Sequence, residues 1–151
     1  MPAKELLIVL EKLRVNLEKL LQNSKDKQKA LISMDNQLLT ETVGAEEKLV
    51  LAIKQIEQQR INTMTLLNRQ KKITENEYRL ALFIKNFRDE LDERTVKLLK
   101  SYEKSIKTLS KEIMDHNREN MFLINHSKQF IHQIMGIVYQ DKNKSLFDKK
   151  V

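Results

Sequence analysis

The chain has 151 residues, with 28 Lys and Arg against 21 Asp and Glu, a net charge of +7. It has one proline and two glycines where average usage gives roughly 7 and 10, so the turns that a β-rich or α/β fold needs are missing. With no cysteine there is neither a disulfide framework nor a thiolate metal site.

The apolar run Leu6–Leu10 lies between Lys4-Glu5 and Glu11-Lys12, too short for the core of a signal peptide, and no run approaches the roughly 18 residues of a membrane span. A soluble, cytoplasmic, all-α protein is expected. The lysines spread along the whole chain, densest at Lys25/Lys27/Lys29, Arg69/Lys71/Lys72 and Lys142/Lys144/Lys149/Lys150. Such charge suits an acidic partner or nucleic acid, but the solvated faces of long helices explain it more simply.

The first element runs over about residues 4–33. Leu6, Leu10, Leu13, Leu17 and Leu20 step by four and three, and the register continues through Ser24 and Lys27 to Leu31 and Met34. The break falls at Ser33–Asn36, where Ser33 or Asp35 can cap a new helix. The second element, about 36–68, carries Leu49, Ile53, Ile56, Arg60, Thr63 and Leu67, supported by Val50, Ile61 and Met64, and Gly44 is expected to kink or soften its start. A short turn between two such helices makes them antiparallel.

Asn68–Thr74 reads as a polar link, followed by a capping box at Thr74–Glu77. Leu80, Phe83, Ile84, Phe87 and Leu91 then share one face, and the charges at Arg88–Arg94 mark a break or a change of phase. The last helix, Thr95–Gln140, has a seam of Tyr102, Ile106, Leu109, Ile113, His116, Asn120, Leu123, Ser127, Phe130, Ile134 and Ile137. The fold expected is a long antiparallel hairpin plus a long C-terminal helix, three to four helices in all. Residues 1–140 form one elongated domain, and 141–151 a charged, disordered tail.

Catalysis finds no support in these residues. His116, His126 and His132 are spaced by ten and six, not the three or four that puts two ligands on one helix face, and Glu112/His116 departs from the Glu-x-x-His of di-iron bundles. There is no Gly-rich phosphate loop and no nucleophile constellation. No enzyme activity, metal or cofactor is expected.

The segment after Asn117 is the informative one. His116, Asn117 and Asn120 put a polar layer in or beside an otherwise apolar seam, a device that fixes register at a cost in stability. Beyond them the sequence is apolar almost all round. Phe122, Leu123, Phe130, Ile131, Ile134, Met135, Val138 and Tyr139 cover more than the stripe a hairpin can bury. A face of this kind, rich in Met and aromatics, is expected to bind a partner, with Phe130, Ile134 and Tyr139 as anchors. The alternatives are burial in the protein's own core, a structural coiled coil that self-associates as a homodimer, and a basic helical nucleic-acid-binding protein.

The order of these segments resembles the FlgN family. "ELLIVLEKLRVNLEKLLQ" leads to "KQKALISMDNQLL", with Ala30-Leu31 and Asp35 at the turn; "AEEKLVLAIKQIEQQR" follows, with Lys48 and Arg60 at the family's spacing. "NRENMFLINHS" is similar to the family's Asn-x-x-Asn-x-x-Leu-Leu ahead of an apolar helix. The resemblance implies a non-catalytic, all-α cytoplasmic chaperone of flagellar type III export. Its clients would be the hook–filament junction proteins FlgK and FlgL, gripped by the last helix and tail and delivered to the flagellar export apparatus.

Overall fold

The computed structural model describes residues 3–73 and 78–138, with side chains as far as Asn125. Four α-helices make up the described residues: α1 Lys4–Ser33, α2 Asn36–Gln70, α3 Leu80–Asn86 and α4 Glu93–Val138, with one 3₁₀ turn at Arg88–Glu90. The all-α hairpin with a long last helix is therefore the observed fold. The capping box at Thr74–Glu77 and the tail lie outside the described residues.

Helices α1 and α2 end in the same way. Met34 (φ 55°) and Lys72 (φ 58°) adopt the left-handed conformation, which turns the next N–H back onto the helix. Asp35 N–H donates to Ala30 O at 3.0 Å, and Ile73 N–H donates to Asn68 O at 2.8 Å. Asp35 then starts α2, its carboxylate accepting the Leu38 N–H at 3.0 Å. This turn takes Met34 off the seam that the four–three spacing gave it, and Met34 is exposed. Asp92 starts α4 likewise, accepting the Thr95 N–H at 2.8 Å.

Helix α1 is the shared element. It buries Leu6, Leu10, Leu13, Leu17 and Leu20 as the spacing predicts, but also Val9, Leu21 and Asn23. That face is wider than a two-helix seam, because α2 and α4 both pack on α1. Helix α2 runs antiparallel to it, with Asn23 against Thr42 near the turn. Helix α4 runs parallel to it, with Glu11 beside Tyr102 and Gln28 beside Glu119. The first half of α4 thus completes the core on α1.

That core has two parts. At the base, Leu6 and Leu10 meet Met64 and Leu67 of α2, Leu80, Phe83, Ile84 and Phe87 around α3, and Val96 and Leu99 of α4. The Phe83 and Phe87 rings stack at 4.4 Å, and Lys71 Nζ sits 4.8 Å over the Phe87 ring. Met64 is fully buried where the seam had placed Thr63, which is only half-buried. Further up, Leu13, Leu17, Leu20, Leu21 and Ile113 pack together, joined by half-buried Leu49, Ile53 and Ile56. Each such side chain contributes roughly 1.5–3 kcal/mol on full burial.

Candidate functional site

Above the leucine core the packing becomes polar in all three long helices at once. Asn23 Nδ2 donates to Thr42 O at 2.8 Å, joining α1 to α2. Asn120 Nδ2 donates to Ser24 O at 3.0 Å, and Ser24 Oγ donates to Asn117 Oδ1 at 3.4 Å, joining α1 to α4. Lys27 and Glu46 close the layer with an ion pair at 3.3 Å. Ser24 and Asn120 are 0% and 2% exposed, so the Asn120–Ser24 bond, like Asn23–Thr42, is an interior one in which water does not compete, whereas Asn117 is exposed.

The layer is incompletely satisfied. Asn120 Oδ1 and His116 Nδ1 are buried and have no hydrogen-bond partner. The nearest acid to His116 is Glu119, whose Oε2 stands 3.9 Å from Nδ1 and accepts from Gln28 Nε2 at 2.8 Å. A half-satisfied layer costs stability against an apolar one and gains register in return.

Asn120 is the last buried residue of α4 among those whose side chains are described; Met121 and Phe122 are 54% and 68% exposed, and Leu123 is half-buried. On α1, Ile32 at the same end is 68% exposed. Between the helices lies a groove of about 380 Å³, lined by Gln28, Ile32, Arg118, Glu119, Phe122 and Leu123. Of the partner-face residues predicted from the sequence, Phe122 and Leu123 therefore sit together at the turn end of the hairpin. Phe130, Ile131, Ile134, Met135 and Val138 fall on the helical backbone of α4, but their side chains, like all of Tyr139, lie outside the described residues.

The hairpin ends before α4 does. Carrying the 91-residue offset of the Gln28–Glu119 pair to Ser33, the last residue of α1, reaches position 124, whereas α4 continues to Val138. About 14 residues, roughly 20 Å of helix, run past the end of α1.

Sequence reasoning found the polar residues of α4 but not their partners. Ser24 was visible as the weak point in the α1 seam, and its sequence distance from Asn120 hid the pairing. Asn23 and Thr42 lie off both seams and left no signal. Lower down, Tyr102 Oη donates to Glu11 Oε2 at 2.8 Å. Glu11 is held below the usual carboxylate range by Arg14 and then by Tyr102, while burial and then Glu11 push the Tyr102 phenol up.

Among the described residues there is no cluster of three potential metal ligands and no helix long and apolar enough to cross a membrane. Comparison with curated proteins and with solved structures gives no match. The family model described as FlgN protein matches residues 1–150. The chain belongs to the FlgN family, the family of flagellar export chaperones.

Proposed function

We propose that this protein holds the helical terminal segment of hook-associated proteins, FlgK and FlgL, on the distal half of α4 in the cytoplasm. It thereby keeps them from assembling early and delivers them to the flagellar export apparatus. The observation that carries this reading is the mismatch in length: α1 ends at Ser33 while α4 runs on to Val138, and from Met121 to Asn125, the last side chains described, no residue of α4 is buried. The segment Phe122 to Val138 is rich in Phe, Ile and Met on either side of the polar run Asn125–Gln129, and an amphipathic helix from a client supplies an apolar face for it. Phe130, Ile134 and Tyr139 are the anchors, and His116, Asn117 and Asn120 form the boundary at which scaffold packing gives way to client packing.

Hydrogen exchange with and without the terminal segment of either client tests this. Exchange should slow over 122–138 and stay unchanged over 10–20. Slowing confined to the hairpin would place the client elsewhere. Slowing over 122–138 that rises with protein concentration and needs no client would assign the face to a second copy of the chain.

A further inference from the structure

The FlgN reading leaves one surface unused. Lys97, Lys100, Lys104, Lys107 and Lys111 step along α4 by three and four. At 100° per residue they fall within a sector of about 80°, turned away from the buried Leu99 and Ile113. All five are exposed. Lys107 pairs with Glu103 at 2.9 Å, whereas Lys97, Lys100, Lys104 and Lys111 have no ion pair among the described residues. Beside the stripe, Lys100, Lys104 and Lys107 wall a groove of about 450 Å³ whose far side is Ala81 and Ile84 of α3.

We propose that this groove between α3 and α4 is a second docking surface, whose occupant is an acidic amphipathic helix of a partner protein. Charge complementarity decides the class. The row of cations faces one helix sector with a single acid inside the groove, and that acid is already bonded to Lys107. A helix with carboxylates every three and four residues has the same rise as the lysine row, so consecutive pairs form without strain. Its apolar residues sit against Ala81 and Ile84. A flat anionic bilayer or a phosphate backbone would meet the lysines and leave that recessed apolar side unused. Lys104 precedes Phe122 by 18 residues, roughly 27 Å of helix, so this surface and the distal end of α4 can be occupied together.

The test is fluorescence anisotropy of the full chain with a labelled eighteen-residue peptide of Glu, Leu and Ala, its Glu and Leu on adjacent faces. Binding should weaken about tenfold or more in K100E/K104E, and in A81E, which puts an acid on the apolar side. The variant K12E/K19E on α1 carries the same change in net charge and should bind within about twofold of the parent. Circular dichroism checks the helix content of each variant, and K104Q replaces any that unfolds. Equal weakening by both double variants would reduce the effect to net charge and overturn the proposal. So would equal binding of the same peptide with Ser for Leu, or no binding at all. Tighter binding to phosphatidylserine vesicles or to a DNA duplex at the same ionic strength would assign the surface to lipid or nucleic acid instead.

Discussion

Asn120 is the residue on which the interior turns from apolar to polar. One of its amide protons reaches Ser24 O, while its Oδ1 is buried without a partner. An unpaired buried acceptor costs about 1–3 kcal/mol. Asn120→Leu should therefore raise the urea midpoint, by about 1 kcal/mol of stability, at the cost of a register mark between α1 and α4. A fall in the midpoint would mean that the Ser24 bond outweighs the unpaired oxygen. Glu11 gives a second residue-scale expectation. Its carboxyl is held low by Arg14 and Tyr102, so the folded state binds fewer protons there than the unfolded chain. The stability it lends is present above the ordinary carboxylate range and is lost as pH falls through its lowered value. The thermal midpoint of Glu11→Gln should accordingly fall less on acidification than that of the parent. Parallel curves would leave Glu11 with no part in the acid response.

Among the elements, α1 answers for most of the fold because two helices lean on it. The leucine spacing made α1 and α2 legible, and the absence of Gly and Pro made their length legible. The number of neighbours was not, since a four–three seam looks alike whether one helix or two cover it. Val9, Leu21 and Asn23 are the residues that betray the second neighbour, and they lie outside the seam. Met34 was misread because a left-handed residue at a helix end breaks the periodicity that placed it. Gly44, expected to soften α2, sits in unbroken helix with nothing within 4 Å of the position a Cβ would take. Gly44→Ala should thus stabilise by about 0.4–1 kcal/mol in chemical denaturation, and a loss would reveal a role for flexibility there. At the base, Phe87 is 2% exposed and stacked on Phe83. Phe87→Ala should cost about 3–5 kcal/mol and loosen α3 from α4, read as a lowered midpoint and faster exchange over 80–99. A cost below about 1 kcal/mol would mean the base collapses into the space.

Taken whole, the molecule is a braced rod. Its lower two-thirds is closed by two leucine-rich cores, a polar layer caps them, and the helical backbone of α4 continues to Val138. The candidate site was legible as composition, since an apolar all-round segment behind a polar layer stands out in any helical chain. Where α1 ends along α4 was not legible, because that depends on the offset between the two helices, which the Glu11–Tyr102, Ser24–Asn120 and Gln28–Glu119 pairs reveal. The central claim is that α4 serves the protein's own core up to Asn120 and its client beyond. It is tested most directly by calorimetric titration of the terminal helix of a hook-associated protein into the parent, Phe130→Ala and Ile134→Ala, with circular dichroism on each. Each variant should keep its helix content and bind about tenfold to a hundredfold more weakly, the loss of one buried anchor of roughly 1.5–3 kcal/mol. Parental affinity in both folded variants would contradict the account, and so would unfolding of both, which would return these side chains to the protein's own core.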